Sequence, residues 1–234
     1  MGKHDQSSGP LRIGHLDPLS KGGHRTCYPH PEHPGQCIKI LHQPWQEIER
    51  RRRDPLRYFR RRQNYDENLS EFLELKKLDA KLGAAMAEHF PICHGFVETD
   101  LGEGLVVEQI QDYDGATSIS LKAYLWTDDW NPQIQETVDH FWNFLKKNGV
   151  LVRDPFPHNL LVQRLNPEGA LRIKQIDGFG ASDFLPFSRI FSNYRNRKLD
   201  GRRERMQRQI TKQLGRIKRG EEPKGKGLPS NLGH

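Results

Sequence analysis

Three oxygen-bearing side chains, Asp154, Asn159 and Asp177, stand at the ends of two short apolar runs in a chain of 234 residues. Residues 160–163 and 171–176 are separated by Asn166-Pro167-Glu168-Gly169 and read as the two strands of a hairpin. Asp154 and Asn159 are five residues apart. Pro155 and Pro157 between them lack the N–H donors of a helix, so this segment must turn or extend. Asp177 runs directly into Gly178-Phe179-Gly180, where glycine lets the backbone turn sharply. The chemistry suited to this set is phosphoryl transfer. One carboxylate takes the proton of an attacking hydroxyl, while an amide oxygen and a second carboxylate hold Mg²⁺ on the phosphates. Asp, Asn, Gly and Pro are also ordinary turn residues, so a plain hairpin with polar ends is the competing reading.

The elements that must position these residues are legible along the chain. Residues 11–16 read as a first strand. Two more strands flank Gly22-Gly23, and the one after the turn-rich 29–35 carries Lys39 among apolar residues. Residues 66–82 read as a helix with Leu69, Phe72, Leu73, Leu75, Leu78 and Leu82 at helical spacing and with Glu71 and Glu74 along it. A hairpin of 95–99 and 105–110 ends in the polar break 111–115. Residues 121–130 are ambiguous. Asn131-Pro132 starts a strongly amphipathic helix that Gly149 closes, and this helix delivers the chain to Asp154. Residues 202–218 form a last helix with Met206, Ile210, Leu214 and Ile217 on one face and Arg203, Arg205, Arg208, Lys212 and Arg216 facing outward.

Composition bounds the reading further. Hydrophobic residues make up 34% of the chain and the mean hydropathy is −0.84, so some segments are solvated rather than packed. No run is long enough to cross a membrane, and the first residues carry no apolar signal core, so a cytoplasmic location is expected. Three cysteines without a C-x-x-C pattern fit reduced thiols. The net charge of +7 is concentrated: residues 50–62 carry +7 and residues 189–219 carry +10, which leaves −10 on the remainder. Those two segments, 50–62 and 202–219, suit nucleic acid, an anionic membrane surface or another anionic acceptor, or else are solvated helix faces. His24, Cys27, His30, His33 and Cys37 have the residue types of a zinc site, a minor competing reading.

The order of these features resembles the protein-kinase-like superfamily. It is more closely similar to the YrbL family of PhoP regulatory network proteins. That likeness rests on Leu19, Gly22, His24-Arg25, Cys27-Tyr28, His30-Pro31, Cys37-Ile38-Lys39-Ile40, His94-Gly95, Val97-Glu98-Thr99-Asp100, Pro157, Asn159 and Leu161, and it covers residues 16–200. The resemblance implies an α+β, protein-kinase-like two-lobed fold with a strand-rich N-lobe and a shortened helical C-lobe. The N-lobe would span 11–115 with an Arg-rich insert at 42–64, and the C-lobe 116–219, between disordered tails at 1–10 and 220–234.

It also implies ATP and Mg²⁺. Gly22 and Gly23 would cover the nucleotide phosphates and Lys39 would neutralise them. Glu74, with Glu71 in reserve, would hold Lys39. Glu108 and Asp112 would meet the nucleotide at the hinge. Asp154 would orient or deprotonate the acceptor, and Asn159 and Asp177 would bind the metal. The chain departs from the kinase pattern at Val152, Phe156 and Gly178, and no Ala-Pro-Glu run follows Asp177. Those departures point away from peptide substrates. They leave open an ATP/Mg-dependent phosphotransferase of unknown acceptor, a nucleotide-binding pseudokinase that regulates a partner, or a nucleic-acid-binding protein.

Overall fold

The computed structural model describes residues 9–47, 62, 65–127, 130–180 and 192–223, which form two compact units. The first is drawn from Met1–Leu73 and Cys93–Gln109, the second from Glu74–Ile92 and Ile110–His234. Most of both tails expected to be disordered, and most of the 42–64 insert, lie outside the described residues.

The first unit is an antiparallel sheet of five strands in the order β1-β2-β3-β5-β4. β1 (Ser20–Lys21), β2 (Arg25–Pro29) and β3 (Gln36–Leu41) form a meander. β4 (Cys93–Thr99) and β5 (Gly102–Glu108) form a hairpin whose second strand lies beside β3. Residues 11–16, expected as a strand, instead make a single parallel bridge, Leu11 to Thr99. The reason is a contact distant in sequence: the Asp100 carboxylate of the β4–β5 turn accepts from the Ile13 and Gly14 amides, which bends the segment over the sheet. Ile13 thereby enters a core with Ile38, Ile40 and Val106. Alternation along β3 sends Ile38 and Ile40 to that face and leaves Lys39 on the other.

Helix α1 (Glu67–Leu82) starts where Asp66 Oδ1 accepts from the Leu69 amide, an N-cap as the sequence allows. Its buried stripe is Asn68, Glu71, Leu75 and Leu78, spaced three, four and three residues apart.

The second unit contains α2 (Met86–His89), β6 (Ile119–Ser120), α3 (Leu121–Thr127), α4 (Pro132–Lys147), the hairpin of β7 (Leu160–Arg164) and β8 (Leu171–Gln175), and α5 (Ser192–Lys218). β6, β7 and β8 form a three-stranded antiparallel sheet. The ambiguous stretch 121–130 begins as a helix because Ser120 Oγ caps it, accepting from the Ala123 amide at 3.1 Å. α4 is capped by Asn131, with proline at its first position, and buries Ile134, Val138, Phe141, Trp142 and Leu145. Gly149, at φ 61°, ends the helix and turns the chain.

α5 is ten residues longer at its start than expected. Its buried stripe is Leu199, Met206, Ile210 and Gln213, with Leu214 and Ile217 only half-buried. Gln213 takes a place expected for an apolar residue because its amide donates to the Lys122 carbonyl at 2.6 Å. Three of the five cations expected to face outward are engaged, Arg208 only at 3.9 Å from the exposed Glu204. Arg203 pairs with Asp139 at 2.7 Å, and Arg216 pairs with Glu221 at 2.7 Å beside the Trp126 ring.

The tightest packing constraint in the first sheet is Gly104, where a Cβ would drive into Ile38 and Ile40. Gly104→Ala is therefore expected to cost about 1–3 kcal/mol through overpacking, read as a fall in thermal unfolding temperature of several degrees. Gly9→Ala, where a Cβ meets nothing within 4 Å, is the control and should leave it unchanged.

Candidate functional site

The first unit gathers charge around one carboxylate. Lys39 Nζ lies 2.6 Å from Glu71 Oε1, and Arg25 Nη1 lies 2.5 Å from Glu71 Oε2. The Glu71 side chain is 3% exposed, so both oxygens find their counter-charges inside the protein rather than in water. Asn68, one turn earlier on α1, donates its amide to the Lys39 carbonyl at 2.8 Å and fixes the helix to β3. One turn out, Glu67 accepts from His24 at 2.7 Å and lies 3.6 Å from Arg25. The cross-strand pairing of Cys27 with Lys39 puts Arg25 and Lys39 on neighbouring strands of one face.

Glu74, the expected partner of Lys39, does not hold it. Its carboxylate pairs with Lys77 at 2.6 Å and packs against Gly180. The helical spacing explains this. Glu71 stands two full turns before Leu78 and one turn before Leu75, in the centre of the buried stripe, whereas Glu74 lies at its edge.

Gly22 and Gly23 stand in the exposed β1–β2 turn, closed by Gly22 N–H donating to the Arg25 carbonyl at 2.8 Å. Glu108 ends β5 opposite Gln36. Arg25 is not among the expected site residues, although the His24-Arg25 pair belongs to the pattern that carries the family likeness. Its reason is now evident: the two residues hold Glu67 and Glu71.

The second unit gathers the other set. Asp154 and Gly178 are joined backbone to backbone, with the Arg153 and Asp154 amides donating to the Gly178 carbonyl at 2.9 and 3.2 Å. Gly178 adopts φ 72°, and a Cβ there would sit 2.9 Å from Asp154 Cβ, so glycine is required for this approach. Asn159 donates its side-chain amide to the Asp154 carbonyl at 2.9 Å, which leaves its amide oxygen as the acceptor end. Its own carbonyl accepts from the Ile176 amide at 2.9 Å. Asp177 is exposed, and its Oδ1 accepts from the Gly178 amide at 2.6 Å. Gln175, wholly buried, donates to the carbonyls of Asp177 and Gly178 and fixes the turn from below. Asp154 and Asn159 thus come from one segment and Asp177 from another, tied by direct backbone bonds. Hard oxygen donors of this kind, a carboxylate and an amide oxygen, fit Mg²⁺.

Asp112 differs from expectation. Its Oδ1 accepts from Ser118 Oγ and from the Arg164 amide, and its side chain is 7% exposed. That carboxylate closes the 112–118 loop onto β7 and is not available to a nucleotide. Val152, standing where kinases carry a histidine, is wholly buried, and Phe156 stacks on His158.

Other sequence readings resolve as follows. The five His and Cys residues weighed for zinc do not converge. His24 pairs with Glu67, His30 stacks with His33, and neither Cys27 nor Cys37 is in a disulfide. Among the described residues, no helix is long and apolar enough to cross a membrane. Of the arginine-rich stretch 50–62, only Arg62 is described, and it is engaged with Asp66 and Glu103 at 2.8 and 3.0 Å.

Comparison with known proteins places these features in a lineage. YrbL of Escherichia coli (strain K12) is 27% identical over 183 residues, covering 76% of this chain and 77% of that protein, and YrbL of Shigella flexneri matches to the same extent. Among solved structures, a variant of the Mycobacterium tuberculosis PknI kinase domain is similar at a TM-score of 0.40 and 19% identity, over 70% of this chain and 58% of that one. Rad53 1–466 in complex with AMP-PNP is similar at a TM-score of 0.47 and 14% identity, over 88% of this chain and 52% of that one. The chain therefore spans under two thirds of either kinase chain. A family model described as PhoP regulatory network protein YrbL matches residues 12–211. The chain belongs to the YrbL family of PhoP regulatory network proteins.

Proposed function

We propose that this kinase-like protein binds ATP with Mg²⁺ and transfers a phosphoryl group to a hydroxyl acceptor. The observation that carries the reading is the Lys39–Glu71 ion pair on a β-strand and a helix behind a glycine turn, the arrangement that neutralises nucleotide phosphates in kinases. Mg²⁺, when bound, supplies positive charge to the phosphate oxygens, and Asp177 with the Asn159 amide oxygen is the donor set for it. Glu71 holds the Lys39 ammonium with one oxygen and pairs with Arg25 through the other. Asp154, held rigidly against Gly178, is the group to orient the acceptor hydroxyl and take its proton.

A regulatory module that binds nucleotide without turnover is the second reading, favoured by Phe156, which puts an apolar ring where many kinases place a lysine beside the catalytic aspartate. The exposed Arg205, Arg208 and Lys212 on α5 support an anionic acceptor or an anionic membrane surface as the second partner.

Asp177→Asn is expected to weaken Mg²⁺–ATP binding by about tenfold or more, equal to ~1.4 kcal/mol, in thermal-shift titration. It should also abolish any phosphate release or transfer detected by ³¹P NMR. Wild-type affinity in that variant would remove Asp177 from the metal site. Transfer by the wild type separates the enzyme from the regulatory module, which binds ATP and leaves it intact.

Glu71→Gln leaves two cations facing one neutral amide in a buried site, so it is expected to lower stability by about 3 kcal/mol in denaturant unfolding and to weaken ATP binding. Glu74→Gln removes an exposed pair and should cost less than ~1 kcal/mol. Reversing the charges of Arg205, Arg208 and Lys212 together should weaken co-sedimentation with phosphatidylglycerol vesicles while leaving ATP affinity unchanged. Unaltered sedimentation would mark the helix as a structural brace.

A further inference from the structure

We propose that Glu88, His89 and His140 form a site for a borderline transition-metal dication, with Zn²⁺ the ion it fits. All three residues belong to the second unit, and none is among those assigned above to nucleotide or acceptor. Glu88 and His89 end α2, and His140 lies on α4. Glu88 Oε1 is 3.6 Å from His89 Nε2 and 3.7 Å from His140 Nδ1, and one ligand atom from each of the three residues lies within 4.8 Å of the other two. Separations of 3.6 and 3.7 Å are too long for hydrogen bonds. A tetrahedral ion with bonds of about 2.0–2.1 Å holds neighbouring donor atoms about 3.3 Å apart. Closing the carboxylate onto such an ion needs shifts of a few tenths of an ångström, and drawing in the second imidazole needs only a turn of the exposed His140 ring.

His89 supplies the independent observation. Its side chain is 2% exposed, and Nδ1 lies 2.7 Å from the Ile173 carbonyl oxygen. A carbonyl only accepts, so Nδ1 carries the proton and Nε2 presents a lone pair. That Nε2 is buried and has no hydrogen-bond partner among the described residues. Phe141 and Phe144 meet the ring edge-on and hold it in place. A histidine whose one nitrogen donates to a backbone carbonyl while the other waits unpartnered is oriented as a metal ligand is.

Burial pushes the pKa of His89 below its ordinary value. The nearby Arg172 charge also favours the neutral ring, and it repels an incoming dication, which the Glu88 carboxylate offsets. Two imidazoles and one carboxylate favour zinc-like ions, since Mg²⁺ and Ca²⁺ prefer all-oxygen shells. An ion here would tie α2 to α4 through groups that otherwise leave a buried nitrogen unsatisfied. One coordination position would remain for water.

The test titrates Co²⁺ and then Zn²⁺ into the full chain after removal of metal with a chelator. The wild type should take up one equivalent of Co²⁺ with a visible d–d absorption band, release it to one equivalent of Zn²⁺, and unfold at a higher temperature with Zn²⁺ bound. His140→Ala and Glu88→Gln change side chains that reach solvent. Each should weaken Co²⁺ binding by about tenfold or more, a loss of ~1.4 kcal/mol, without lowering the unfolding temperature of the metal-free protein. A His30→Ala/His33→Ala double variant should bind as the wild type does. No bound equivalent in the wild type, undiminished binding in both His140→Ala and Glu88→Gln, or loss of binding in the His30/His33 variant would each overturn the proposal.

Discussion

One buried carboxylate organises the first unit. Glu71 is shielded from water and receives Lys39 on one oxygen and Arg25 on the other. Taking three charges out of water costs several kcal/mol per ion, so the cluster persists only because each charge has a close, well-aligned partner. The cluster also fixes geometry. Lys39 belongs to β3, Arg25 to β2 and Glu71 to α1, so one carboxylate sets the position of a helix against two strands. Asn68, donating to the Lys39 carbonyl from the turn before, makes the docking two-point and prevents the helix from rotating about its axis. A lysine so held keeps its ammonium at a defined place with its flexible stem extended. That preorganisation is what a phosphate site requires, because charge aimed in advance costs no reorganisation when the ligand arrives.

The second unit meets the same requirement with backbone instead of charge. Asp154 and Asp177 are 23 residues apart in sequence, and carboxylates brought close repel. The chain brings their segments together through the Gly178 carbonyl, which accepts from the amides of residues 153 and 154, while Gln175 satisfies the same turn from the core. The β7–β8 hairpin supplies the frame, pairing Leu160 with Gln175 immediately before the turn. A left-handed glycine at 178 allows an approach that any Cβ would block.

The sequence made the type and order of most elements readable, because strand alternation, capping residues and glycine stops are local signals. α4 is the clearest case: Asn131, Pro132 and Gly149 mark both ends, and the observed helix runs Pro132–Lys147. What was not readable depends on contacts far along the chain. Residues 11–16 look like a strand, but Asp100, some 87 residues away, captures their amides. On α5 the expected Met206 and Ile210 are buried, but Gln213 replaces Leu214 and Ile217 in the stripe, and only the Lys122 carbonyl explains its burial. Spacing marks Asp154, Asn159 and Asp177 as the polar ends of a hairpin, and the structure brings their segments together. The spacing favours Glu74 for Lys39 with Glu71 in reserve, and the structure pairs Lys39 with Glu71, which lies nearer the centre of the Leu75/Leu78 stripe. Asp112 was read as a hinge ligand because its polar surroundings hid the Ser118 and Arg164 groups that consume its carboxylate. The Glu88, His89 and His140 group has no motif spacing, since two neighbours and a residue on another helix form no local pattern.

The central claim is that the chain binds ATP with Mg²⁺. Isothermal titration of ATP into the wild-type protein, with Mg²⁺ present and with Mg²⁺ removed by EDTA, tests it most directly. The account expects one ATP bound per chain with Mg²⁺, and little or no binding without it, because Asp154 and Asp177 repel unneutralised phosphates. Failure to bind ATP at millimolar concentration with Mg²⁺ present, or equal affinity in the presence of EDTA, would contradict it.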